Sequence, residues 1–384
     1  MTEKLYYRDS YMKEFTSQVL ACEPGEKGYI TVLSKTAFFP EEGGQYSDRG
    51  VIGNAEVVTV YERGGIIYHV TSMPLEVGSE VICRIDFDER YEKMQCHTAE
   101  HILSGLIHSE YGLSNVGFHL GADEVTMDIS EPLTAEQLEY IECRANEIVF
   151  ENVKIEVLYP TPSEAKTLEY RSKLDITENL RVVRIGEYDS CACCAPHVAR
   201  TGELGCIKIL DFSKLRGGIR IRIAAGRRAF RIFSAYHKEL SNISRQLSAP
   251  RLECAGTLSR YAEETERIKR ELKLMRIAFF EREADFIDTD RKLIFLTYEG
   301  ASIEELRALA NKLLTKTEAL IVILAPTTED VKYLIASKRV DVKSNIRQIN
   351  SALCGRGGGN SEMAQGGFNS SVSDIRAYFE ANYQ

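Results

Sequence analysis

The chain has 384 residues, of which 44% are hydrophobic and 27% are charged, and its formal net charge is −9. A chain of this length and composition can form two or three globular domains. No apolar stretch approaches the length of a membrane span and the first residues contain no apolar signal region, so we expect a cytoplasmic protein. In that compartment its ten cysteines indicate thiols and metal binding rather than a disulfide framework.

The first part of the chain, residues 1–88, is predicted to be a small β-barrel domain. Segments such as YITVLSKTAFF and AEVVTVYE are separated by Gly-Gly pairs and by a Ser-Asp-Arg-Gly turn, which is typical of compact β modules. Residues 89–226 follow as an α+β domain. We expect one helix from 89 to Gly112 and a second from Thr134 to Asn152, with strands in IEVLYP, LRVVRIG, CIKILDF and GIRIRIA.

Residues 227–288 are predicted to be a helical hairpin or coiled coil. Apolar residues recur at heptad spacing on both sides of a break at Ser248-Ala249-Pro250, and such a seam packs two helices together or forms a dimer contact. Residues 289–384 alternate apolar strands with helical stretches and are predicted to be a small α/β domain. The fold class expected for the whole chain is therefore α+β.

Two short pairs of metal-binding residue types stand in the second domain. His97 and His101 occur in HTAEH, where positions i and i+4 of a helix lie on one face and can bind one ion. Cys193 and His197 occur in CACCAPHV. Three imidazoles and one thiolate suit tetrahedral Zn²⁺, so the sequence predicts a zinc site built from both pairs.

The first pair also fits a different motif. HTAEH matches the inverted zinc-protease pattern H-x-x-E-H, in which Glu100 would be the general base. That pattern requires an acidic third ligand further along the chain, and the sequence does not mark one. A helical histidine pair that binds no metal is the remaining alternative.

Basic residues are clustered despite the acidic net charge, which keeps a nucleic-acid partner open. One cluster lies in the predicted closing strands and contains Lys214, Arg216, Arg220, Arg222, Arg227 and Arg228. A second lies in the C-terminal domain and contains Lys332, Lys338, Arg339, Lys343, Arg347 and Arg356. Solvated surface charge is the alternative for either cluster taken alone.

These motifs, taken in order, resemble the editing domain of alanyl-tRNA synthetase and its free-standing AlaX-type relatives. KTAFFPEEGGQYSDRGVIG resembles the family's Gly-Gly-Gln segment, HTAEHIL and CCAPHVARTGELG resemble its two ligand motifs, and CGRGGGNSEMAQGGF resembles the glycine-rich motif of the synthetase's C-terminal domain. Two departures occur. Cys194-Ala195-Pro196 stand where the family often has Gly-Gly-Thr, and Asn360-Ser361 stand where a basic residue and proline are usual.

The resemblance implies a free-standing hydrolase that acts on mischarged tRNA(Ala). It would release a wrong amino acid, serine above all and also glycine, by cleaving the ester bond to the terminal adenosine at a zinc site. The resemblance assigns one Zn²⁺ per chain to the two ligand pairs, at His97, His101, Cys193 and His197. It places Gly43, Gly44 and Gln45 beside the active site.

Physical chemistry refines these roles. A pocket that hydrogen-bonds the serine hydroxyl can favour serine by ~10⁴-fold over the analogue that lacks it, and Gln45 and Thr36 are our candidates for this contact. Backbone amides of the Gly43-Gly44 turn are candidates for stabilising the oxyanion. Cys194 is expected to touch the substrate. Four protein ligands describe a closed zinc site, so whether the ion is catalytic or positions the tRNA end stays open.

We expect tRNA to be bound through Arg220, Arg222 and Lys343, and a homodimer to form through the helical hairpin or the C-terminal domain. Two alternatives keep the same fold. Threonyl-tRNA synthetase carries a related editing domain with the same ligand pattern, although the alanyl-type glycine motif argues against that tRNA. In the other alternative the zinc is structural and the chain is a non-catalytic tRNA-binding module.

Overall fold

The computed structural model describes residues 1–172 and 180–383. These residues combine helices with β-sheets, which confirms the α+β fold class. The chain divides into two compact units, Met1–Ser241 and Asn242–Gln384. The helices of the described residues include none that is long and apolar enough to cross a membrane.

The first unit begins with a six-stranded closed barrel in the order β2-β3-β7-β6-β5-β8. Successive side chains of a strand point to opposite faces, so the alternation in β2 sends Phe15 and Val19 inward, where they meet Leu33 and Ile67. The strands of this region are β1 (Glu3–Lys4), β2 (Glu14–Gly25), β3 (Gly28–Leu33), β4 (Lys35–Thr36), β5 (Gly50–Ile52), β6 (Ala55–Arg63), β7 (Ile66–Thr71) and β8 (Glu80–Ile85).

Helix α1 (Phe87–Tyr111) follows the barrel and is buried along most of its length. The side chain of Asp86 accepts a hydrogen bond from the Glu89 amide at its start, and Gly112 ends it in the left-handed conformation, as predicted. The remaining elements of the first unit are β9 (Asn115–Leu120), β10 (Val125–Ile129), α2 (Ala135–Glu151), β11 (Ile155–Leu158), α3 (Pro162–Ala165), β12 (Val182–Ile185), β13 (Asp189–Ala192), β14 (Ile207–Leu215), β15 (Gly218–Ala225) and α4 (Gly226–Leu247).

Two sheets cover helix α1. One has the order β14-β15-β10-β9 and the other the order β11-β12-β13. Alternate residues of β15, namely Ile219, Ile221 and Ile223, pack into the same core as Met94 and Leu103 of the helix. The helix therefore lies between sheets, and any polar side chain on it needs a partner from the surrounding elements.

The two predicted long helices are present as α4 and α5 (Cys254–Glu283). Ser248 interrupts them with a positive φ of +49°. Many side chains of the predicted heptad seam are exposed, including Tyr236 at 59% and Met275 at 70%. The hairpin or dimer contact through this seam stays a prediction.

The second unit contains a five-stranded sheet in the order β16-β17-β18-β20-β19, as expected for a small α/β domain. Strand β17 alternates Ile321 and Ile323 toward one core and Val322 and Leu324 toward the other, so both sheet faces are covered. Its elements after α5 are β16 (Leu293–Thr297), α6 (Ile303–Leu314), β17 (Leu320–Pro326), β18 (Val331–Ala336), α7 (Val342–Ala352), β19 (Gly355–Gly359), β20 (Met363–Phe368) and α8 (Val372–Tyr383).

The glycine run of this unit lies in a strand, although a run of glycines by itself indicates a flexible loop. It forms β19 and pairs antiparallel with β20. A Cβ atom at Gly357 would collide with the carbonyl oxygen of Gln365 and with the hydroxyl of Tyr333. Glycine is required here because the two strands and the tyrosine approach each other too closely for a side chain.

Candidate metal centre

Helix α1 places His97 and His101 one turn apart on one face, with ring centres 5.5 Å apart. The loop that follows β13 brings Cys193 and His197 to them. The His197 ring lies 4.9 Å from that of His97 and 4.6 Å from that of His101. One ligand atom from each of the four residues lies within 4.8 Å of the other three, so the structure brings together the four residues predicted to bind one ion.

The two helix histidines are oriented by acceptors on their Nδ1 atoms. Nδ1 of His97 lies 3.0 Å from Oε1 of Gln45, and Nδ1 of His101 lies 2.9 Å from Oδ2 of Asp189. With these oxygen acceptors, each Nδ1 carries the proton and leaves Nε2 with a free lone pair. Metal-binding histidines are commonly held in this way, because the outer partner fixes both the tautomer and the ring orientation.

The other two residues of the set also have partners. Nδ1 of His197 lies 3.0 Å from the hydroxyl of Thr98, which is on α1 between the two helix histidines. The Cys193 sulfur accepts a hydrogen bond from the Ala195 amide at 3.4 Å and lies 3.3 Å from Nε2 of His197. All four side chains thus direct a donor atom toward one point.

The electrostatics of the set favour a bound cation. Burial opposes a thiolate at Cys193, but the adjacent His97 ring and hydrogen bonds from His101 and His197 outweigh it and hold the pKa of this thiol well below its usual 9.0. Burial lowers the pKa of His197 to about 3, so that its imidazole is neutral. Burial opposes an imidazolium at His101, but Asp189 and Cys193 outweigh it and raise the pKa of His101 well above its usual 6.5, so this residue releases a proton when it binds an ion. One thiol and three imidazoles within tetrahedral reach are the donors that Zn²⁺ prefers, and the residues present fit this ion.

Asp189 extends the set beyond the ligands and was not anticipated from the sequence. Its second oxygen accepts a hydrogen bond from Nε of Arg171 at 2.8 Å, and Arg171 also donates to the hydroxyl of Ser104 at 2.8 Å. Strand β13 can approach α1 this closely because Gly105 has no side chain. A Cβ atom at this position would lie 2.5 Å from the Tyr188 carbonyl oxygen. A glycine inside an otherwise regular helix was the available signal.

The Gly43-Gly44 pair forms a two-residue turn beside the centre. Both residues have positive φ, +63° and +80°, and Glu42 and Gln45 exchange backbone hydrogen bonds across them at 3.2 and 3.1 Å. The turn positions Gln45, whose side chain is 1% exposed. Among the described residues the Nε2 atom of Gln45 has no hydrogen-bond partner, so a buried amide donor is available there.

A cavity of about 1320 Å³ opens onto these residues. His97, His101 and Cys193 line it, and so do Gly43 and Cys194. A Cβ at Gly43 would lie 3.7 Å from the Cys194 sulfur, which places this cysteine against the turn. Burial raises the pKa of Cys194, so it is a neutral thiol in the cavity wall.

Glu100, the residue that the protease motif would use as base, also lines the cavity. It accepts a hydrogen bond from the side-chain amide of Asn115. The set of four is completed by Cys193 and His197 and contains no carboxylate, while the acidic residue next to the histidines, Asp189, lies against Nδ1 of His101.

Thr36, Arg220 and Arg222 do not line this cavity. The Thr36 hydroxyl is fully buried in the barrel, 2.9 Å from Nε2 of His69. Arg220 forms two 2.8 Å hydrogen bonds with Asp128 on the neighbouring strand, and Arg222 pairs with Asp211. Both arginines alternate in β15 with isoleucines that pack toward α1, so they point to the opposite face of the sheet. The third predicted phosphate ligand, Lys343, is exposed near the start of α7 in the second unit.

Three family models match parts of the chain. "Threonyl and Alanyl tRNA synthetase second additional domain" matches residues 180–223, and it includes Cys193 and His197. "tRNA synthetases class II (A)" matches residues 3–89, and "DHHA1 domain" matches residues 290–382. Cys193 and His197 therefore lie in a segment that is similar to a class of domains found in aminoacyl-tRNA synthetases.

Individual relatives narrow this class. The chain is 28% identical to the alanyl-tRNA editing protein AlaX-L of Pyrococcus horikoshii, over 95% of this chain and 94% of that protein. It is 30% identical to the alanine–tRNA ligase of Halorubrum lacusprofundi over 95% of its own length but only 42% of the ligase. It is 34% identical to the alanyl-tRNA editing protein Aarsd1 of Bos taurus, over 54% of this chain and 50% of that protein. These matches confirm the resemblance to AlaX-type alanyl-tRNA editing proteins along nearly the whole chain.

Proposed function

We propose that this chain is a trans-editing hydrolase that cleaves the aminoacyl ester of mischarged tRNA(Ala). Serine is the principal amino acid to be removed and glycine the second. The observation that carries the proposal is the set of three histidines and one cysteine at a cavity whose wall includes the Gly43-Gly44 turn. The match to AlaX-L over nearly the full length of both proteins supports tRNA(Ala) as the nucleic acid.

We infer that the chain holds one Zn²⁺ through His97, His101, Cys193 and His197. When bound there, zinc would supply a Lewis acid that polarises an ester carbonyl or holds the substrate in place. Gln45 and Asp189 would keep two of the imidazoles in the tautomer that binds metal.

The Gly43-Gly44 turn and Gln45 are the proposed catalytic elements of this chain. In the described structure neither glycine amide donates a hydrogen bond, which makes both available to an oxyanion. The unpartnered amide of Gln45 supports a second role as a donor to the substrate. This amide is a better candidate than Thr36 for contact with the serine hydroxyl, because the Thr36 hydroxyl is already bonded to His69.

Binding of the tRNA body is proposed for the second unit, with Lys343 as the residue to test. Arg220 and Arg222 can bind phosphate only by exchanging their partners Asp128 and Asp211. The division into a barrel (1–88), a zinc-containing editing domain (89–226), a helical linker (227–288) and a C-terminal domain (289–384) is part of the proposal, as is a homodimer through the linker or the C-terminal domain.

A deacylation assay tests the proposed function. The purified chain is incubated with Ser-, Gly- and Ala-charged tRNA(Ala) and with Ser-charged tRNA(Thr), each with and without a chelator. We expect serine to be released from tRNA(Ala), glycine more slowly, and alanine not at all. His101→Ala should abolish release, whereas His237→Ala, which changes an exposed histidine of α4, should not.

Two outcomes would contradict the proposal. Release of serine from tRNA(Thr) in preference to tRNA(Ala) would indicate threonyl-type editing. No release from any charged tRNA, with zinc bound at one ion per chain, would indicate a tRNA-binding module without catalytic activity.

A further inference from the structure

The cavity extends outward from the candidate metal centre along a wall that the proposed ester chemistry does not use. The carbonyl oxygen of Cys193 accepts a hydrogen bond from Nη1 of Arg181 at 2.6 Å. The guanidinium carbon of Arg181 lies 5.6 Å from the centre of the Tyr7 ring. The carbonyl oxygen of Tyr7 in turn accepts a hydrogen bond from the Tyr159 hydroxyl at 3.2 Å. All four residues line the cavity, so a continuous strip leads from a predicted zinc ligand to Tyr159.

Tyr159 presents an open aromatic surface at the outer end of this strip. Its side chain is 57% exposed, and it packs against no other ring among the described residues. Its hydroxyl is fixed to the Tyr7 backbone, which limits the orientations of the ring. An aromatic face that is open, fixed in place and next to a cation is a surface on which a nucleobase stacks.

Arg181 supplies the second observation. Arg181 is 6% exposed, and its Nη1 atom donates hydrogen bonds to the carbonyl oxygens of Cys193 and Ala195. Within residues 1–172 and 180–383 it forms no ion pair with a carboxylate, and its Nε atom is buried without a hydrogen-bond partner. A buried cation with an unused donor is costly unless a ligand satisfies it.

We propose that Tyr159 stacks the adenine base of the substrate's 3′-terminal adenosine, and that Arg181 donates a hydrogen bond to the ribose of the same nucleoside. The proposal rests on the proposed function. The ester to be cleaved is attached to the ribose, and the base is attached to the same ribose. The base must therefore lie one sugar away from the metal centre, which is the direction in which the strip runs.

Calorimetric titration with AMP tests the subsite without reference to activity, and ribose 5-phosphate, which lacks the base, is the control ligand. We expect AMP to bind at least about 5-fold more tightly than ribose 5-phosphate, because stacking on an aromatic side chain contributes roughly 1–3 kcal/mol per base. For the same reason Tyr159→Ala should weaken AMP binding by roughly 5- to 100-fold, and Tyr159→Phe should retain it. Tyr140→Ala, which removes an exposed tyrosine of α2, is the matched control.

Kinetics with Ser-charged tRNA(Ala) distinguish the tRNA end from a free nucleotide as the occupant. Tyr159→Ala should raise KM by roughly 10-fold while kcat changes little, since stacking binds the ground state and the transition state alike. Equal binding of AMP and ribose 5-phosphate, AMP binding that does not depend on Tyr159, or an unchanged KM would each overturn the subsite. A wild-type chain that binds AMP through Tyr159 but releases no amino acid would support the subsite and overturn the proposed function.

Discussion

Asp48 and Arg90 form an ion pair in which the two side chains are 1% and 0% exposed. The pair holds both ends of one loop, because Asp48 also accepts a hydrogen bond from the Phe39 amide at 2.6 Å and Arg90 donates to the Ala37 carbonyl at 2.6 Å. This loop carries Gln45 to the candidate metal centre. A buried charge pair between this loop and α1 therefore determines where the Gly43-Gly44 turn lies.

Asp48→Asn should destabilise the first unit strongly, because it leaves Arg90 buried without a countercharge. Breaking one partner of a buried pair costs about 3–5 kcal/mol. Urea unfolding at neutral pH measures this loss. The matched control is Asp88→Asn, which removes an exposed partner of Arg227 and should leave the midpoint almost unchanged. Equal midpoints for the two variants would contradict the argument.

Acid should have the same effect as the Asp48 substitution. Burial opposes ionisation of Asp48, but Arg90 and Lys93 outweigh it and hold the pKa of the carboxyl below its usual 3.8. The ion pair therefore contributes fully above pH 3.8 and is lost as the pH falls below it, toward the lower pKa of the folded state. The wild type and Asp48→Asn should thus converge in stability at the acid end of a pH series.

His69 should produce a second pH dependence, in a higher range. Burial lowers its pKa from 6.5 to about 4, so the unfolded chain binds a proton between these values and the folded chain does not. Stability therefore rises with pH through this window, by about 3 kcal/mol for a shift of this size. His69→Gln should reduce the slope of unfolding free energy between pH 4 and 6.5 without abolishing it, because the lowered pKa of His197 contributes in the same direction, whereas the exposed-site variant His237→Gln should keep the full slope.

Sequence patterns predicted those features that depend on neighbouring residues. The boundaries of α2 follow from Thr134, whose hydroxyl and amide form a capping box with Gln137, and from Asn152, which ends the helix in the left-handed conformation. The pairing of His97 with His101 follows from helical spacing alone. Local rules therefore predict element limits and each half of the metal centre.

Contacts between distant segments were not predictable by these rules. Asp189 bonds to His101 across 88 positions of the chain, and Asp48 lies 42 positions before Arg90, so no spacing rule joins them. The partner of Arg220 was equally hidden from the sequence. The cluster of like charges around Arg220 indicated phosphate binding, but the partner Asp128 lies on another strand and becomes visible only when the strand register is known.

Asp189→Asn should weaken zinc binding by about 10- to 100-fold, as is typical when the outer partner of a metal-binding histidine is changed. The amide oxygen can still accept a hydrogen bond from His101, but the negative charge that also balances Arg171 is lost. Competition with a chromophoric chelator measures the affinity. Asp211→Asn is the matched control, since Asp211 pairs with Arg222 on the outer face of the sheet. Equal zinc affinity for both variants would show that Asp189 does not support the ligand.

Gly44→Ala should impair catalysis more than its effect on stability explains. The residue has a φ of +80°, and a Cβ there would collide with the Phe118 carbonyl oxygen, so the turn must move and take Gln45 with it.

Gly64→Ala is the matched control, because Gly64 also has a positive φ, +60°, but a Cβ there meets nothing within 4 Å. Each variant should lose about 1 kcal/mol to left-handed backbone strain, and Gly44→Ala should lose more because of the collision. Only Gly44→Ala should lower kcat for Ser-charged tRNA(Ala), by roughly 100-fold if the turn amides stabilise the oxyanion. Similar kcat values for the two variants would remove the turn from the mechanism.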